Sequence, residues 1–251
     1  MDLCEQDIQQ YRHPWESARA KTILTVLKQY LSPNNTRILD MGCGDAYFAN
    51  RLLQTFPHKS MAAIDLNFTE DHLAYLQKTY PNIHFGTHLQ DHETFDLILL
   101  MDVIEHIEND IHFLSQLIQK HLNPEGQVLI TVPAFQSLFS GHDVFLKHYR
   151  RYSRKQLLNT IDQCGLTPQH SGYIFSFLLF PRIINLIKEK ILPTIKNNQQ
   201  GISNWTHGAC ISNTLSSILY ITNLWGLYLS KINIQLPGLT TWTICHKKPL
   251  K

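Results

Sequence analysis

A chain of 251 residues, 43% of them hydrophobic and 17% charged, is long enough to bury a sizeable core as one large domain with additions. Its formal net charge of +2 includes no long basic block, so nothing in the charge pattern requires a nucleic-acid partner. Cys4, Cys43, Cys164, Cys210 and Cys245 are odd in number, scattered and without a C-x-x-C pair, which points to a reduced, cytoplasmic compartment and away from a zinc site, and the acids Asp2, Glu5 and Asp7 ahead of any apolar run do not make a signal peptide.

Glu16 to Leu31 carries apolar residues at helical spacing (Ile23, Leu24, Leu27, Leu31) and stops before Pro33, which predicts a helix. From Arg37 onward, strands are predicted near 37–40, 60–65, 83–87, 95–101 and 127–132, with helices near 46–56, 69–80 and 109–121 between them. Alternation of this kind means a parallel sheet with right-handed crossovers. Ser153 to Cys164 reads as a capped helix ended by Gly165, a strand near 167–174 follows, and a last strand is expected at 240–246.

The first strand carries the densest information. Arg37-Ile-Leu-Asp-Met-Gly-Cys-Gly-Asp45 ends an apolar strand in an acid and two glycines, and Gly42 and Gly44 permit positive φ and close approach of a ligand to the backbone. The second strand ends in Asp65, about 20 residues on, the spacing at which a carboxylate accepts ribose hydroxyls. A dinucleotide fingerprint wants a third glycine where Tyr47 stands, so a nicotinamide cofactor is disfavoured.

These residues resemble the class I S-adenosylmethionine-dependent methyltransferases, whose first motif has the form D-x-G-x-G. Phe95 to Asp102 resembles their fourth strand, Val103 to Ile107 the loop that follows, and Leu122 to Pro133 the fifth. The resemblance implies an α/β fold: a Rossmann-like, seven-stranded, mostly parallel sheet with helices on both faces, an antiparallel last strand and a C-terminal helical insertion. The expected organisation is an N-terminal helical cap (1–36), the cofactor-binding core (37–174), a hydrophobic helical insertion (175–236), and the last strand and tail (237–251). It also implies S-adenosyl-L-methionine as cofactor, with Asp40, Gly42 and Gly44 at its methionine part, Asp65 at the ribose, Leu66 on the adenine face, Thr87, His88 and Leu89 near the adenine edge, and Asp102 at the strand end beside it. Helix-capping or loop-bonding roles remain open for Asp40 and Asp65.

Two clusters could carry chemistry. Asp102, Glu105 and His106 would share one face at the start of a helix. A similar E-x-x-E-H group binds a divalent cation in quinone-biosynthesis and small-RNA methyltransferases, yet D-x-x-E-H also occurs in members without metal, and no metal is expected here. The second cluster, Ser140 to Tyr152, holds two histidines, an Asp and two arginines, and it resembles an H-D-x-x-x-x-H-Y-R-R-Y signature of a bacterial subgroup, as Tyr11 to Arg19 resembles that subgroup's opening helix. His142 held by Asp143 could take a proton from a hydroxyl, and Arg150 with Arg151 could clamp an anion. The other reading is that the arginines pin the loop and His148 is a packed ring.

Tyr173 to Leu192 is rich in Ile, Leu and Phe, and Asn197 to Ser230 contains no Asp, Glu, Lys or Arg. Ile211 to Leu229 approaches bilayer-spanning length, but its Ser, Thr and Asn content favours a lid, a homodimer surface or a peripheral membrane contact. The expected activity is methyl transfer, at oxygen, to a small-molecule or lipid-linked acceptor, anionic if the arginines clamp it. A non-catalytic cofactor-binding subunit and a nicotinamide-dependent oxidoreductase are the alternatives.

Overall fold

The computed structural model describes residues 12–34, 36–57, 59–191, 205 and 207–248, leaving out the side chains of 189–191. The acidic start with Cys4, the Tyr11 end of the opening helix, and 192–204 of the insertion lie outside the described residues.

Seven strands form one sheet: β1 (Arg37–Met41), β2 (Ser60–Ile64), β3 (Ile83–Gly86), β4 (Phe95–Met101), β5 (Leu122–Pro133), β6 (Leu166–Ile174) and β7 (Thr240–Lys247). Their order is β3-β2-β1-β4-β5-β7-β6. The first five are parallel, and β7 runs antiparallel between β5 and β6. Strand order reverses between β1 and β4, so their carboxyl ends open onto the switch-point crevice where ligands of such sheets sit.

Local chemistry sets the helix ends. Helix α1 (Pro14–Tyr30) begins two residues earlier than the apolar pattern indicates, because Pro14 occupies the first turn, where its missing N–H is no loss. Helix α2 (Tyr47–Thr55) follows the glycine turn and α3 (Glu70–Thr79) is capped by Thr69. Helix α4 (Asp110–His121) is capped by Asn109, and α6 (Arg154–Gln163) by a reciprocal Ser153/Gln156 pair. The short α5 (Gly141–Phe145) precedes α6. Helices α7 (Ser176–Ile191) and α8 (Ala209–Lys231) lie between β6 and β7 in the chain.

Alternate residues of each strand serve two cores. Ile38, Leu97 and Leu99 pack with α1 and α2 on one face, and Leu39, Ile98 and Leu100 pack with α4 and α6 on the other. Helix α8 docks on α1 through Asn223, whose amide oxygen accepts from the Phe175 amide (2.7 Å) while its nitrogen donates to Thr22 Oγ1 (3.0 Å). The N-terminal cap and the C-terminal insertion thus meet over one sheet face. Among the described residues, no helix is long and apolar enough to cross a membrane.

Candidate active site

The glycine turn is built as the spacing requires. Gly42 and Gly44 have φ of +73° and +55°, and a Cβ on Gly42 would fall 2.7 Å from a Val103 methyl. Only glycine lets the turn after β1 approach the turn after β4 this closely. Ala46, which caps α2, is also left-handed at φ 58°. Asp65 stands across the turn, with Oδ2 accepting from the Gly44 amide (3.0 Å) and Oδ1 from the Asn67 amide and side chain (3.0 and 3.2 Å). It fastens the loop and, with about four acceptor positions on a carboxylate, keeps one for a ligand. Leu66 beside it is 72% exposed, an apolar side chain presented to an incoming planar group. Thr87 and His88 bond each other at 2.8 Å (Oγ1 to Nδ1), and Leu89 packs on the second core.

Asp40 is fully buried, and neither carboxylate oxygen has a partner among the described residues. Burial lifts its pKa to about 7, against the pull of Arg19. An orphaned acid beside a ligand turn fits a cationic group as its missing partner.

Helix α1 supplies the opposite wall. Arg12 pairs with Glu16 and Asp45 and lies 3.8 Å over the Tyr47 ring, and Arg19 pairs with Asp102. Arg12, Arg19, Gly42, Asp45 and Tyr47 line a cleft of about 50 Å³. A larger one, of about 460 Å³, lies between Leu27, Pro33 and Phe56 at the amino ends of the strands, away from this chemistry. The resemblance of Tyr11 to Arg19 marks the segment of Arg12 and Arg19 but not their place in the cleft, since only packing brings this segment to the glycine turn.

The turn after β4 differs from the expected helix start. Asp102 is left-handed (φ 58°) and takes a bond from Thr131 Oγ1 (3.1 Å), whereas Glu105 and His106 lie in a single 3-10 turn, Ile104–His106, before α4 begins. The three therefore do not share a helical face, because the chain must reverse here before it can wind. Glu105 is fully buried with both oxygens unpartnered among the described residues. Burial, and then the charge of Asp102, lifts its pKa well above the carboxylate range.

The segment after β5 folds onto this turn, residue by residue. Asp143, fully buried, accepts from His148 Nδ1 (2.9 Å), Arg151 Nε (2.7 Å) and the Ser140 amide (2.9 Å). The imidazole held by Asp143 is thus His148, where the sequence pairs the acid with its neighbour His142. One turn of the short α5 carries the acid's side chain toward position 148. Burial would raise the Asp143 carboxyl, but the bonds from His148 and Arg151, with the Arg151 charge, outweigh it and hold the group well below its usual range.

Arg150 binds Asp110 (3.1 Å) and the Glu108 carbonyl. Tyr152 donates to Asp110 (2.6 Å), and the Tyr149 amide donates to the Glu105 carbonyl (2.8 Å). Both arginines are therefore engaged by the chain's own carboxylates, and the segment works as a fastening between the turns after β4 and β5. His106 and His148 stack edge to face at 4.6 Å. Ligand atoms of Glu105, His106 and His148 lie within 4.8 Å of one another, a grouping that replaces the trio Asp102, Glu105 and His106.

Residues 11–171, most of the sheet and both loop clusters, match the methyltransferase domain family. The chain belongs to that family. Among curated relatives, the malonyl-[acyl-carrier protein] O-methyltransferase of Bacillus cereus is 26% identical over 142 residues, 54% of this chain and 49% of the relative. A ubiquinone biosynthesis O-methyltransferase of Rickettsia typhi is 30% identical over 125 residues, 47% and 50% of the two chains. The chain spans about half the length of the curated relatives it matches. Among solved structures, a 1,6-didemethyltoxoflavin-N1-methyltransferase of Burkholderia thailandensis, with S-adenosylhomocysteine bound, superposes with a TM-score of 0.52 at 15% identity, covering 92% of this chain and 78% of that one. The [4+2]-cyclase SpnF gives 0.55 at 14% identity over 93% and 81%. A cyclase and a methyltransferase on one fold leave the reaction to the site.

Proposed function

We propose that this chain is an S-adenosylmethionine-dependent methyltransferase acting at oxygen on a small-molecule or lipid-linked acceptor. S-adenosyl-L-methionine is the cofactor of the family. The observation that carries the reading is the pair of acids around the glycine turn. Asp65 keeps an acceptor site beside Gly44, and Asp40 is a buried carboxylate without a partner among the described residues. Asp40 would hold the cofactor's ammonium, Asp65 its ribose hydroxyls and Leu66 a face of the adenine, while Arg12 and Arg19 close the outer wall.

When bound, the cofactor supplies a methyl group on a positively charged sulfur, a donor already activated. The chain's main task is then alignment, which can contribute up to ~7–11 kcal/mol, and a base is needed only where the acceptor must lose a proton. The reading assigns that role to His148: Nδ1 faces Asp143, so with its proton there Nε2 carries the lone pair. The bond to Asp143 orients the ring. Asp143, Arg150 and Arg151 act as positioning residues that hold the loop. Both curated relatives described above are O-methyltransferases by name, which supports oxygen as the acceptor atom.

Calorimetry with S-adenosylmethionine, S-adenosylhomocysteine and NAD tests the cofactor, and Asp65→Ala should weaken the first two by about 1.5–3 kcal/mol, the range for a hydrogen bond to a charged group. Incubation of a lipid extract and a small-metabolite pool with methyl-labelled cofactor tests the reaction. Label recovered in an ether or ester supports oxygen, label in an amine overturns it, and cofactor binding without transfer to any acceptor favours the non-catalytic subunit.

A further inference from the structure

Helix α8 buries several small and polar residues and shows a row of large apolar ones. A helix on a water-facing surface normally buries its apolar stripe and shows its polar one. Here the buried positions are Ser212, Ser216, Asn223, Gly226 and Leu227, and two of the polar ones are bonded inside: Asn223 bonds Phe175 and Thr22, and Ser212 takes a bond from the Trp205 indole (2.6 Å). The exposed large apolar positions are Ile211, Leu215, Ile218, Ile221, Trp225, Tyr228 and Ile232, three or four apart along the helix and just beyond its end, with the exposed polar Asn213, Thr214 and Ser217 among them near its start. Trp225 is 64% exposed. Helix α7 packs against α8 and adds Phe177, Phe180, Ile184 and Ile187, also exposed at helical spacing. Small and polar residues inward with large apolar residues outward is how helices pack where the surroundings are apolar.

The charge of this region identifies those surroundings. Residues 175–236, the helical insertion, contain five Lys and Arg and a single acid, Glu189, whereas the rest of the chain contains 17 bases and 19 acids. The insertion is thus +4 and the rest −2. Lys188 and Lys231 are exposed at the ends of the two apolar stripes. A second copy of this face would bring the same positive charge and repel the first, while an anionic bilayer offers both the apolar interior and the opposite charge.

We propose that the α7–α8 face docks the protein on the surface of an anionic lipid bilayer, with the two apolar stripes in the boundary between headgroups and acyl chains and the lysines at the phosphate level. Neither helix spans the bilayer, since no described helix is long and apolar enough to cross one. Docking of this kind requires no methyl transfer and is read without it.

The full chain is sedimented with vesicles of phosphatidylcholine alone and of phosphatidylcholine with phosphatidylglycerol. Binding is expected to the mixed vesicles and to fall at least tenfold on neutral ones or in 0.5 M salt. Ile218→Glu with Trp225→Glu should abolish it at an unchanged melting temperature, and Lys188→Glu with Lys231→Glu should weaken it at least threefold. Lipids brominated near the headgroup should quench tryptophan emission of the wild-type chain, a readout that stands if the first double variant does not fold. Absence of binding to mixed vesicles, or equal binding to both kinds, overturns the proposal. So does a concentration-dependent dimer that binds no vesicle and that Ile218→Glu with Trp225→Glu makes monomeric, for the face is then a subunit contact.

Discussion

Arg19 on the N-terminal helix closes an ion pair with Asp102, the left-handed residue at the end of β4. The pair joins α1, which lines the cleft beside the glycine turn, to the turn that carries Glu105 and His106. Asp102 also takes the Thr131 hydroxyl, so its orientation is fixed from two sides.

Loss of that tie should be felt mainly in cofactor binding. Arg19→Met removes a charge-assisted bond across the site and is expected to weaken S-adenosylmethionine binding by about 1–3 kcal/mol. Calorimetry on the variant decides it: unchanged affinity would mean that α1 closes the cleft without help from the pair.

Asp40 makes a prediction about pH. Its folded pKa of about 7 lies above the usual value near 4 because burial penalises the charge. Between those values the folded, cofactor-free chain holds a proton that the unfolded chain has lost, so stability falls as pH rises from 4 to 7, by a few kcal/mol at the upper bound of linkage. Asp40→Asn should remove that slope in a melting series. It should also flatten the rise of cofactor affinity with pH expected of wild type up to about 7, where Asp40 becomes charged for the ammonium. A variant with the wild-type slope in both series would show that Asp40 carries neither effect.

His148 and Asp143 separate chemistry from scaffold. His148→Ala is expected to lower kcat by about 10²–10⁴-fold with cofactor affinity unchanged, whereas His142→Ala should stay near wild type. Asp143, held below its usual pKa, stabilises the fold at all pH above about 4 and loses that contribution as pH falls below it. Asp143→Asn should therefore lower the melting temperature clearly at pH 7 and by progressively less as pH falls below about 4 towards the depressed folded pKa. Full turnover in His148→Ala with loss in His142→Ala would return the base to position 142.

A metal ion is not expected to be needed. Glu105 is pushed toward its neutral form by burial and then by Asp102, and a neutral carboxyl is a poor ligand. Dialysis against EDTA should leave turnover unaltered. If manganese or zinc instead restores lost activity and raises the melting temperature, and His148→Ala abolishes that rise, then Glu105, His106 and His148 are its ligands.

Local pattern carried most of the sheet. Strand and helix positions followed from apolar periodicity and caps, except that β5 begins at Leu122, as the resemblance to the family's fifth strand has it, and not near Gln127, where periodicity puts it, since Leu122 pairs with Phe95 across a bulge that no periodicity marks. The glycine turn and its acids were equally legible, because positive φ and strand-end acids are properties of a few adjacent residues. The partners of charged side chains were not. Asp143 next to His142 reads as a dyad, yet a five-residue helix turns the acid toward His148 and Arg151, and Arg150 finds Asp110 some 40 residues away. Likewise, composition identified α8 as apolar, but which of its faces looks outward depends on what α1 offers it. Thr22 and the Phe175 amide select Asn223 as the inward side, since a buried donor must be paired. Backbone conformation is a short-range property and can be read along the chain, whereas ion pairs and exposed faces are settled between residues that meet only after the chain has folded.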